Sequence, residues 1–122
     1  MIDHVSISVA DLARAIAFYE ALLAALGHTK LRESEATAGF GKSYPEFWLN
    51  LRDHEAASSG AHVALRADSR AAVNAFHKTA LENGGSCDGP PGFREIYDPR
   101  YYAAFIRDPE GNRIEAVTFV EK

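Results

Sequence analysis

Apolar and polar residues alternate with period two at the start of the chain. Val5, Ile7 and Val9 make one face and His4, Ser6 and Ser8 the other, as in a strand with one buried side. The period then changes. Asp11 stands where a helix N-cap belongs, and Leu12, Ile16, Tyr19, Leu23 and Leu26 recur at three- and four-residue steps, which predicts a helix with one buried stripe. Gly27 ends it where a left-handed residue is wanted. Three strands are expected next, at about Thr29–Glu33, Ala36–Gly41 and Phe47–Leu51, with glycines 39 and 41 weakening the middle one and marking a bulge. The small, polar stretch 53–60 reads as a linker.

The second half repeats the plan. A strand at 61–66 puts His62, Ala64 and Arg66 on one face and Val63 and Leu65 on the other. Asp68 or Ser69 caps a helix carrying Val73, Phe76, Ala80 and Leu81, which stops at Gly84-Gly85. A Gly/Pro-rich loop (Asp88–Gly92) precedes a strand at Tyr101–Arg107, a turn at Asp108-Pro-Glu-Gly-Asn112 and a last strand near Arg113–Phe119. Pro109 presets the turn and Gly111 tolerates positive φ. Identities recur at a spacing of about 58 residues: His4-Val5 as His62-Val63, Ala17-Phe18 as Ala75-Phe76, Gly27 as Gly85, Phe47 as Phe105. The order is βαβββ twice, an α+β architecture in one domain over 1–122, with module 1 at about 1–55 and module 2 at about 61–122. Two similar halves are expected to pack with pseudo-twofold symmetry, so that duplicated positions face a shared centre.

Composition narrows the function. The chain has 122 residues, 47% of them apolar, and a net charge of −4, which fits a globular core. Without a basic run it carries no electrostatic footprint for nucleic acid, and no apolar stretch approaches the ~20 residues of a membrane span. A strand begins at Ile2 with no leader pattern ahead of it, and Cys87 is the one cysteine. The expectation is a cytoplasmic protein without disulfides, Cys87 being an incidental small residue.

The duplicated position holds histidine, and the last strand holds a carboxylate. Glu115, between Ile114 and Ala116, is poorly placed for a solvated edge, and burying it uncompensated is costly. A metal or a histidine partner resolves that cost. If the symmetry brings strands 1 and 5 together, His4 and His62 meet near Glu115, and two His with one carboxylate form a facial triad that leaves positions open for substrate or water. The same residues also fit a bland account, as hydrogen-bonded strand side chains. His28, following a helix end, reads as structural, and His54 and His77 as solvated. Trp48 and Phe47 read as core or pocket lining.

These motifs resemble the vicinal oxygen chelate superfamily of glyoxalase I, bleomycin-resistance proteins and extradiol dioxygenases. The resemblance rests on His4-Val-Ser-Ile-Ser-Val-Ala-Asp-Leu through Phe18-Tyr19, on His62-Val-Ala-Leu, and most specifically on Asp108-Pro-Glu-Gly-Asn-Arg-Ile-Glu115. It implies a half-barrel of two βαβββ modules around one divalent metal (Fe, Mn, Ni or Zn), with His4, His62 and Glu115 on the ligand positions and Glu115 also catalytic. It implies further a small-molecule substrate and a homodimer, with Tyr101 and Tyr102 as catalytic candidates and Trp48, Asn50 and Arg94 as substrate-binding ones. Metal-binding glyoxalases place a further Glu on the strand that here reads Phe47-Trp-Leu-Asn-Leu51; Glu46 lies just outside it. That departure leaves isomerase or lyase, dioxygenase and thiol-transferase chemistry open, beside a binder without catalysis.

Overall fold

The computed structural model describes residues 1–52 and 61–120; the linker at 53–60, His54 included, lies outside them. The elements run β1 (Val5–Val9), α1 (Leu12–Ala24), β2 (Thr29–Glu33), β3 (Thr37–Gly41), β4 (Phe47–Leu51), β5 (His62–Arg66), α2 (Arg70–Glu82), β6 (Ser86–Phe93), β7 (Tyr101–Arg107) and β8 (Arg113–Phe119). They form two four-stranded sheets, ordered β1-β4-β3-β2 and β5-β8-β7-β6. The second order repeats the first, and the chain is two βαβββ modules.

The capping chemistry follows the sequence. Asp11 accepts from the Arg14 N–H at the start of α1, and Ser69, rather than Asp68, accepts from the Ala72 N–H at the start of α2. Gly27 and Gly84 leave the helices with φ of 84° and 97°. One helix face in each module packs on its sheet, and Phe18, Tyr19, Leu22 and Leu23 from α1 join Val73, Phe76 and Ala80 from α2 in a single core. Leu81 departs from expectation: it is 45% exposed, because the buried stripe of α2 is only Val73, Phe76 and Ala80.

Two further expectations change. The Gly/Pro-rich stretch 88–92 is not a loop but part of β6, with register shifts between Cys87 and Gly89 and between Gly89 and Gly92. Proline is tolerated there because β6 is the sheet edge, where a missing N–H breaks no ladder. The bulge expected on β3 falls instead across Lys30 and Arg32 of β2. Gly39 serves a different need: a Cβ there would lie 2.8 Å from Cζ3 of Trp48, so the glycine leaves room for the indole.

The modules are joined through the β7–β8 turn. Asp108, 4% exposed, accepts from the Tyr19 hydroxyl at 2.7 Å and from the Asn112 side chain at 2.9 Å. Asn112 donates onward to the Ser8 carbonyl, and the Glu110 carboxylate accepts from the backbone N–H groups of Ala10 and Asp11. The sequence's firmest turn is thus also the clasp between its halves.

Candidate functional site

Parity along β8 decides where Glu115 goes. Ile114 and Ala116 face the helices and are buried there, so Glu115 stands on the opposite face, 3% exposed. Its two oxygens have separate partners. His62 Nε2 lies 2.8 Å from Oε1, and the Tyr101 hydroxyl donates to Oε2. His62 reaches it from β5, where Ala64 is the residue paired with Glu115. Tyr101 reaches it from β7, on the other side of β8. Burial, followed by the hydrogen bond and charge of Glu115, pushes the Tyr101 phenol well above its ordinary pKa, so it stays a protonated donor at neutral pH.

Aromatic and basic groups surround this pair. The His62 ring meets Phe105 edge-on at 5.9 Å between centroids, and the Arg94 guanidinium lies 5.3 Å over the same Phe105 ring. Gly89 makes the approach possible, since a Cβ there would come within 2.9 Å of Phe105. Arg94 is steadied by donating to the Pro90 carbonyl at 2.6 Å. The sequence marked Phe105 only as a repeat of Phe47 and not as a site residue, although its parity with Tyr101 on one strand was the signal that would have placed it here.

His4 is placed differently. β1 and β5 are edges of separate sheets, and His4 sits just ahead of β1 with its Nδ1 2.6 Å from Asp3, its side chain 53% exposed. Asp3 also accepts from Tyr44, and these two bonds, His4 first, hold its carboxyl below the usual range. His4 and His62 do line one cleft of about 370 Å³, together with Asp3 and Glu46. Yet among the described residues no three His, Cys, Asp or Glu side chains are close enough to hold a metal ion. The triad expected from the repeat is therefore not assembled within this chain: His62 and Glu115 meet, and His4 stands across the cleft.

The remaining candidates separate by face. Tyr102 alternates with Tyr101, so it points away from Glu115, and its hydroxyl donates to Asn74 of α2 at 2.7 Å. Tyr102 therefore does not join Tyr101 at Glu115. Trp48 and Asn50 lie on the β4 face that carries the polar side of β1, Trp48 over Gly39 and Asn50 accepting from Thr37. Register explains the missing second carboxylate. Ser6 pairs with Trp48 as Ala64 pairs with Glu115, so the first sheet puts tryptophan where the second puts glutamate.

Comparison with known proteins agrees with this architecture. The model of the Glyoxalase/Bleomycin resistance protein/Dioxygenase superfamily matches residues 1–116. The crystal structure of a glyoxalase/bleomycin resistance protein from Albidiferax ferrireducens is similar at 32% identity, over 94% of this chain and 96% of that one, with a TM-score of 0.84. The fold is shared with a glyoxalase/bleomycin resistance protein/dioxygenase family enzyme from Burkholderia phytofirmans (18% identity, 98% of each chain, TM-score 0.77). It is shared too with the fosfomycin resistance protein FosX from Mesorhizobium loti (18% identity, 98% and 92% covered, TM-score 0.70). No curated protein matches the chain. With a family match across nearly its whole length, the chain belongs to the Glyoxalase/Bleomycin resistance protein/Dioxygenase superfamily.

Proposed function

We propose that this protein is a divalent-metal-dependent enzyme acting on a small molecule that presents two neighbouring oxygens. One observation carries the proposal: a carboxylate 3% exposed, Glu115, meets an imidazole nitrogen at 2.8 Å on the face away from the core. Nitrogen and carboxylate donors of this kind suit a first-row divalent ion, so His62 and Glu115 fit two ligand positions. His4 is the third, contributed from a second copy of the chain, since within one chain it stands across the cleft from the pair. The ion would supply Lewis-acid stabilisation of negative charge on the substrate oxygens.

The chain's own groups have definable parts. Tyr101 keeps its proton and fixes Oε2 of Glu115, leaving Oε1 turned toward His62. Arg94 and Phe105 give a basic, aromatic border beside His62 on which a substrate can rest. Trp48 and Asn50 belong to this substrate surface if the His4 face closes on it. The reading takes residues 1–122 as one domain, in a homodimer that covers the open edges of β1 and β5. No helix among the described residues is long and apolar enough to cross a membrane, and we place the protein in the cytoplasm. A second reading, a binder without catalysis, is favoured by the distance of His4 from the His62–Glu115 pair.

Elemental analysis of protein purified without chelators, beside a His62→Ala variant, tests the choice. About one Fe, Mn, Ni or Zn per site, lost in the variant, is the expected result for the enzyme. No metal in either protein after reloading rejects it in favour of the binder.

A further inference from the structure

Arg94 is half-buried, and every other arginine among the described residues is exposed. It also forms no ion pair among those residues. Acidic residues outnumber basic ones by 17 to 13, so a shortage of carboxylates is not the reason. Arg107 and Arg113 of the same sheet share Asp88, and Arg100 is paired with Asp98. Taking a charge partly out of water costs free energy that a partner normally offsets. For Arg94 the chain provides no such partner, which points to one from outside.

The guanidinium is nonetheless held in place. The backbone N–H of Arg94 donates to the Tyr101 carbonyl at 2.8 Å. Nη2 donates to the Pro90 carbonyl at 2.6 Å, and the fork lies 5.3 Å over the Phe105 ring. Two glycines clear its bed: a Cβ at Gly92 would come within 3.1 Å of Nη1, and one at Gly89 within 3.3 Å of Nη2. No other hydrogen bond of the guanidinium is formed among the described residues, so a fixed fork keeps free N–H donors. Such a fork matches the paired oxygens of a carboxylate or a phosphate. Phe105 carries the fork and also meets the His62 ring at 5.9 Å, which sets the free donors across one aromatic ring from the His62–Glu115 pair. The charge reaches that pair's neighbour: burial and Glu115 raise the Tyr101 pKa, and Arg94 opposes them.

We propose that the small molecule bound at Glu115 carries an acid group, a carboxylate or a phosphate, besides its two neighbouring oxygens, and that Arg94 selects it by bonding that group. The inference rests on His62 and Glu115 being the reacting centre. It names the class of substrate that the centre receives: a small acid whose anionic end lies across one ring from the oxygens that react.

Calorimetric titration of the full chain with benzoate, phenyl phosphate and benzamide tests it, since the three share a ring and differ in charge. One of the two anions is expected to bind about tenfold more tightly than benzamide, the factor that hydrogen bonds between charged groups supply, and the tighter anion identifies the acid. Arg94→Gln should erase that preference, whereas Arg107→Gln, which removes an arginine already paired with Asp88, should keep it. Chelator-treated protein should show the same preference, which separates an anion held by Arg94 from one drawn to a metal ion. No binding of either anion, binding equal to that of benzamide, or a preference that survives in Arg94→Gln would each overturn the proposal. Elemental analysis of the same samples reads the metal proposal separately. Metal without a preference for anions sinks this inference alone, and a preference for anions without metal sinks the metal reading alone.

Discussion

A handful of side chains meet at Glu115. The carboxylate is buried, and its partners were legible only in part. Period-two parity put Glu115 and His62 on candidate faces, and the repeat drew attention to His62. Nothing in the sequence distinguished Tyr101 from Tyr102 until the strand's phase was fixed, and the phase sends their hydroxyls to opposite faces. Tyr101→Phe removes the donor to Oε2 and should destabilise the fold by about 1–3 kcal/mol, the range for leaving a buried acceptor short of a partner. Tyr102→Phe, losing a bond to exposed Asn74, should cost less. Urea unfolding of the two variants makes the comparison, and an equal cost would contradict the asymmetry. Glu115→Ala should abolish metal binding with the secondary structure retained; full metal content in that variant, alongside an unchanged circular dichroism spectrum, would refute the ligand assignment.

Elements were more readable than their pairing. Both helices, their caps and seven of the eight strands among the described residues follow from periodicity and turn chemistry, because those signals are local. The partner of each strand is not local. The match of Phe47 to Phe105 looks like part of the repeat, yet Val5 faces Phe47 and Val63 faces Ile114, so the counterpart of Phe47 is Ile114. β6 was hidden for a similar reason: its prolines and glycines read as loop unless one knows that it is an edge. Gly39 shows how a pairing can be tested. Gly39→Ala would push a methyl group against the Trp48 ring, at an expected cost of about 1–3 kcal/mol from overpacking. Trp48 is the single tryptophan, so its emission reports the displacement directly, and an unshifted spectrum with unchanged stability would argue against the contact.

Across the whole molecule, acidity should act through two histidines that the sequence left as structural or solvated. His28 and His77 both have pKa values lowered from 6.5, His77 by burial and His28 by burial with Lys42 beside it. Folding then favours their neutral forms, so their contribution is fully present above pH 6.5 and declines as pH falls toward the lowered folded values. Melting temperatures should drop between pH 7.5 and pH 5 by less in His28→Gln than in the wild type; an identical drop would exclude His28 as a source. The clasp at Asp108 and Glu110 has a consequence for how the chain is made. Synthesis runs from the N-terminus, yet the amides that open α1 and the hydroxyl of Tyr19 find their partners only in the final hairpin. The first module therefore leaves the ribosome with its closing contacts still to come, and a chain ended at Arg107 should lose cooperative unfolding in both halves. The half that is built first is the half that is finished last.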